Sequence, residues 1–138
     1  MFSTKMRDPL ITPGLQPELY RYLGGIVRGE RGVLLEVGGM PYHVHMLTRF
    51  RADVSVSEML RLIKTNSSKW INERPATASP FGWQTGYGAF SVSASQVDSV
   101  SEYSKSQEEH HRTMSFEEEF VRFLKKHGIK YDEQYLWD

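Results

Sequence analysis

The sequence predicts an α+β fold: a mainly antiparallel sheet of ferredoxin-like type packed with helices, in a single domain over residues 1–138. Three observations carry that prediction. Strand-like and helix-periodic segments mix in the order βαββαβαα, without the regular alternation of a parallel sheet. The turn residues Gly38-Gly39-Met40-Pro41 separate two β-prone runs closely enough for a hairpin. A chain of 138 residues is long enough for one core and too short for two.

The elements follow in order. Residues 1–5, MFSTK, read as the tail of a strand. Asp8-Pro9 and Thr12-Pro13-Gly14 punctuate a loop. Pro17-Glu18 opens a helix with Leu19, Tyr22, Leu23, Ile26 and Val27 at helical spacing. The strand pair starts at Gly32, with Val33–Val37 as one arm and Tyr42–Phe50 as the other. Alternation along the second arm puts Tyr42, Val44, Met46 and Thr48 on one face and His43, His45 and Leu47 on the other. Ser55 with Glu58 three residues on is a capping box. The helix that follows carries Met59, Leu60, Ile63, Trp70 and Ile71 on its apolar stripe, opposite Arg61, Lys64, Ser68 and Lys69. Residues 74–80, RPATASP, form a loop, and Phe81–Ser93 is an aromatic, glycine-rich stretch predicted to hold one or two short strands. Ser95 caps a helix to about Arg112. A second capping box, Ser115 with Glu118, starts a last helix that stops at Gly128.

Composition removes several function classes. Apolar residues are 39% and charged residues 25% of the chain, which is incompatible with a wholly disordered protein. No apolar run approaches the ~18 residues of a membrane span, and the N-terminus has no signal-like apolar core, so the expected compartment is the cytoplasm. With no cysteine, a disulfide scaffold, a zinc ribbon and a thiol nucleophile are excluded. The net charge is zero but uneven: residues 1–74 hold 11 Lys/Arg against 7 Asp/Glu, and residues 75–138 hold 6 against 10. A uniformly basic coat is absent, and a local basic face in the N-terminal half stays open.

Four groups of residues can carry chemistry. His43 and His45 stand two apart on a strand, so both imidazoles project from one face, roughly 7 Å apart along the chain, and can converge on one divalent ion. The plainer alternative is two hydrogen-bonded, partly exposed histidines. Tyr103 and Gln107 share a helix face at i and i+4. A phenol beside a metal is activated as a nucleophile, and an amide oxygen can complete the metal's shell; the alternative is an amphipathic helix with one aromatic contact. Glu108-Glu109-His110-His111 reads as helix surface, and His127 as a cation at a helix C-terminus. Last, Arg61, Lys64 and Lys69 with Ser67 and Ser68 suit phosphate contacts, and Trp70, Trp83, Tyr87 and Phe90 could include a base-stacking surface. Here the alternative is a tryptophan in the core and lysines in solvent.

Taken together, the strings GGMPYHVHML, IKTNSSKWINE, FGWQTGYGAFSVSASQVDSVSEYSKSQEEHHR and SFEEEFVRFLKKHGIKYDEQYLW resemble the small single-tyrosine transposases of the HUH class. That class includes insertion-sequence transposases that move single-stranded DNA and the REP-associated tyrosine transposases. HUH stands for His-hydrophobe-His, here His43-Val44-His45, and the resemblance runs from Phe2 to Trp137. It implies the HUH endonuclease fold and a DNA transposase that binds hairpin-bearing single-stranded DNA. Mg²⁺ or Mn²⁺ would be held by His43, His45 and, by position, Gln107. Tyr103 would attack the scissile phosphate to form a 5′-phosphotyrosine and release a 3′-OH, with Arg61, Lys64 and Lys69 as DNA contacts. It also implies a homodimer, in some states of which the tyrosine of one subunit serves the histidines of the other.

The chain departs from the family in three places. Tyr42 stands where members usually have Asp, Ser104 follows the tyrosine where an apolar residue is usual, and the first strand is expected to be truncated relative to the family's. These departures support an alternative, a catalytically inactive hairpin-DNA-binding remnant of the same fold. A replication- or conjugation-type nickase and a metallohydrolase using Glu108 or Glu109 are more distant readings.

Overall fold

The computed structural model describes residues 1–75, 80–106, 116–126, 128 and 130. Its elements are strand β1 (Phe2–Ser3), helix α1 (Gln16–Gly29), strands β2 (Val33–Met40) and β3 (His43–Arg49), and helices α2 (Val56–Asn72), α3 (Val97–Lys105) and α4 (Phe116–Lys126). The three strands form an antiparallel sheet in the order β1-β3-β2, so the strand that carries both histidines is central. The α+β fold and its antiparallel sheet are as the sequence predicts.

Alternation along β3 sorts the two layers. Val44 is buried with Phe2, against Leu19, Leu23 and Val27 of α1 and Met59, Ile63 and Ile71 of α2, in one apolar cluster. On the other face His43, His45 and Leu47 are buried, and α3 lies against β2 and β3. The sheet therefore has an apolar face closed by α1 and α2 and a polar face closed by α3. The apolar face supplies the stability that lets the other carry buried imidazoles.

Helix α2 begins as its capping box dictates, with the Ser55 hydroxyl accepting from the Glu58 N–H at 3.1 Å. Its buried stripe, Met59, Ile63, Ser67 and Ile71, is rotated slightly from the expected one. Ser67 lies in it, donating to the Ile63 carbonyl and accepting from the Trp83 indole N–H at 2.9 Å. Trp83 meets the rings of Phe2 and Phe81 edge-on, so it belongs to the core and not to a base-stacking surface. Trp70 is half-buried, its ring stacked on Tyr22 with centroids 4.5 Å apart.

Two expectations about strands are revised. The hairpin turn is at Pro41-Tyr42, because β2 continues through Gly38-Gly39-Met40. The stretch from Phe81 to Ser93 forms no ladder of its own and touches the sheet by a single bridge, Thr4 with Trp83. It still runs beside β1, with Gln84 N–H on the Ser3 carbonyl and Gly88 N–H on the Met1 carbonyl, both 2.9 Å. Regular pairing is broken because Lys64, reaching from α2, takes the carbonyls of Gln84, Thr85 and Gly86 at 2.8–3.2 Å. Successive carbonyls of a strand point to opposite sides, so three that converge on one ammonium do not have strand geometry.

Candidate active site

The site is built on the polar face of β3. Residues two apart on a strand share a face, and here the rings of His43 and His45 lie with centroids 5.1 Å apart. Both are buried, at 0% and 7% exposure. Tyr103, near the C-terminal end of α3, brings its ring within 6.1 Å of the His45 ring.

Sequence explains why α3 comes so close. Gly38 of β2 is the register partner of His45, and a Cβ built there would sit 1.6 Å from the Ser104 carbonyl oxygen. The bare glycine thus lets the backbone of α3 rest directly on the sheet. Ser104, which the family pattern marks as a departure, is itself buried at this contact; a small residue fits where the helix touches the strands. Tyr103 is thereby set over the histidine strand. Ser101 and Lys105 of α3 add polar ties, both to the Glu36 carboxylate on β2.

The remaining member comes from α4. Glu119 is 1% exposed. Its Oε1 lies 2.8 Å from His45 Nε2, and its Oε2 accepts a hydrogen bond from the Tyr103 hydroxyl. His43, His45 and Glu119 place one donor atom each within 4.8 Å of one another. Two imidazoles and a carboxylate form a donor set suited to a divalent first-row cation, and the oxygen ligand also admits Mg²⁺. On donor chemistry and spacing, these residues fit the metal that the HUH motif implies.

Of the residues singled out from sequence, His43, His45 and Tyr103 lie together here, and they are joined by Glu119, which sequence reading did not name. A signal was available. Glu119 stands three residues after Phe116 and four before Phe123 in SFEEEFVRFL, which puts a carboxylate on the apolar stripe of its helix, where an unpaired charge is costly. Gln107, expected as the third ligand, lies outside the described residues, as do Glu108, Glu109, His110, His111 and His127.

The three cations expected to meet DNA differ in setting. Arg61 is exposed and paired with Glu58 one turn back at 2.6 Å, and Lys69 is exposed. Lys64 is partly buried. Besides its three carbonyl partners, its ammonium lies over the rings of Phe2 and Tyr87, at 5.7 and 5.5 Å from their centroids. Burial lowers its pKa to about 8. These bonds tie the 84–86 segment to α2.

Comparison with known proteins decides the family. The profile of the IS200-like transposases matches residues 1–107, from β1 through α3. The chain belongs to the IS200-like transposase family. Membership makes this IS200-like protein a transposase, with DNA as its partner. The fold is shared with a solved transposase candidate from Deinococcus radiodurans R1, at a TM-score of 0.57 and 18% identity, covering 74% of this chain and 82% of that one. Among curated proteins, none matches the sequence. In this IS200-like chain, no helix among the described residues is long and apolar enough to cross a membrane.

Proposed function

We propose that this transposase cleaves and rejoins hairpin-bearing single-stranded DNA through a 5′-phosphotyrosine on Tyr103. One observation carries the reading: the Tyr103 hydroxyl and the His45 imidazole meet the two oxygens of a single buried carboxylate. A nucleophile beside a metal-competent pair forms the minimal apparatus for transesterification at phosphorus.

In the proposed reaction the Tyr103 oxygen attacks the scissile phosphorus in line with the 3′ oxygen of the preceding nucleotide. One P–O bond forms and another breaks, the leaving oxygen becomes a free 3′-OH, and the 5′ phosphate stays on the tyrosine. The exchange conserves the number of phosphodiester bonds, so rejoining needs no nucleotide cofactor. His43, His45 and Glu119 would hold Mg²⁺ or Mn²⁺, with Gln107 as a further candidate ligand. A bound cation supplies Lewis-acid polarisation of the phosphate. Arg61 and Lys69 contribute phosphate contacts, and Lys64 acts by shaping the 84–86 segment beside them. The protein works as a homodimer in this reading, which light scattering at micromolar concentration checks.

The test is incubation with a panel of single-stranded hairpin oligonucleotides and Mn²⁺, read on a denaturing gel. The reading expects a covalent protein–DNA band that requires metal and a hairpin. Hairpin binding without any such band would favour the inactive-binder alternative.

A further inference from the structure

Glu119 is the only Asp, Glu, Lys or Arg among the described residues that is fully buried. A carboxylate withdrawn from water is costly unless each oxygen finds a partner, and here the two oxygens are divided between two functional groups. Oε1 engages His45 on the central strand, and Oε2 accepts from Tyr103 on α3. Glu119 itself arrives on a third element, α4. It lies beyond residue 107, where the match to the transposase family ends.

The geometry points to Glu119, besides its place in the donor cluster, as the positioning residue of the nucleophile. It ties the Tyr103 hydroxyl to the histidine strand, so that a segment outside the matched family region sets the aim of the reaction. This rests on the reading of Tyr103 as nucleophile and goes beyond it. The phenol sits near the end of a short helix, α3, that stops at Lys105, and its oxygen lies far from the backbone that anchors it. A charge-assisted bond to a buried carboxylate is a strong way to hold that hydroxyl over the histidine strand.

The seat of α4 supports the same role. A Cβ at Gly88 would stand 2.7 Å from the ring of Phe120, so that ring packs over bare backbone on the segment beside β1. Leu124, one turn on, is buried too. The Phe120 ring against Gly88 and the buried Leu124 thus lie on the same helix that turns Glu119 toward His45.

Single-turnover cleavage at saturating DNA and Mn²⁺, in the full chain, provides one arm of the test. Glu119→Ala should lower the rate about 100-fold, the usual effect of a misplaced reacting group. Glu119→Gln, which keeps an oxygen to accept from Tyr103, should recover to within about tenfold of wild type. DNA affinity should stay unchanged in both, and a melting curve confirms that each variant folds. The second arm uses no DNA and no metal. Proton NMR of the wild type should show a slowly exchanging hydroxyl resonance that disappears in Tyr103→Phe and in Glu119→Ala. The inference is overturned if Glu119→Ala cleaves at the wild-type rate. It is equally overturned if that variant cleaves faster, which would make the carboxylate a block, or if the resonance survives in it. If the wild type cleaves no hairpin, the nucleophile reading fails, and the resonance still decides whether Glu119 holds Tyr103.

Discussion

At the scale of single residues, the sharpest contrast is between Tyr103 and its neighbours in function. Tyr103→Phe removes one oxygen and keeps the ring, so the fold and DNA affinity should barely change while cleavage and the covalent adduct vanish together; filter binding and a denaturing gel on the same samples check both. His43→Ala/His45→Ala should abolish Mn²⁺ binding in calorimetry, since it removes two of the three donors in the cluster; unchanged binding would move the metal elsewhere. The cations separate by setting. Neutralising Lys69 should reduce the salt slope of DNA binding by about one unit or less, and Arg61 by less again, because Glu58 already offsets its charge. Lys64→Ala should leave the slope nearly unchanged and cost about 1.5–3 kcal/mol of stability, the usual value of hydrogen bonds to a charged group. The histidine pair was legible in the sequence because strand periodicity alone puts both rings on one face. Glu119 was not, because its place beside His45 and Tyr103 depends on where α4 docks, and no local pattern states that.

At the scale of elements, the docking of α3 on the sheet controls the site. Gly38→Ala would drive a methyl group into the Ser104 carbonyl, a backbone atom that cannot rotate aside. Such overpacking costs about 1–3 kcal/mol, and the helix that moves to relieve it carries Tyr103. The variant should therefore lose cleavage more than it loses stability, seen by comparing single-turnover rates with melting temperatures. Helix limits were readable where chemistry marks them: Ser55 caps α2 through Glu58, and Pro17 lies in the first turn of α1. The hairpin turn was placed too early because a Gly-Gly pair normally signals a turn. Here the first glycine instead admits a helix. The missing ladder in Phe81–Ser93 has a tertiary cause, a lysine from α2 that no reading of that segment alone contains.

At the scale of the whole molecule, the sheet divides labour. One face is closed by α1 and α2 in an apolar cluster, and the other presents the histidines to α3 and α4. The proposed phosphate contacts are on α2 and the chemistry is across the sheet, so a strand touching both must pass round an edge. Neutralising Arg61 and Lys69 together should accordingly weaken binding while leaving the single-turnover rate at saturating DNA unchanged. The central claim is that Tyr103 becomes covalently joined to DNA. The most direct measurement is to trap the adduct with a hairpin-bearing single strand and Mn²⁺, digest both protein and DNA, and locate the residual nucleotide by mass spectrometry. The expected product is a 5′-phosphodiester on the peptide containing Tyr103 and on no other. A nucleotide on another tyrosine, or an adduct that persists in Tyr103→Phe, would contradict it.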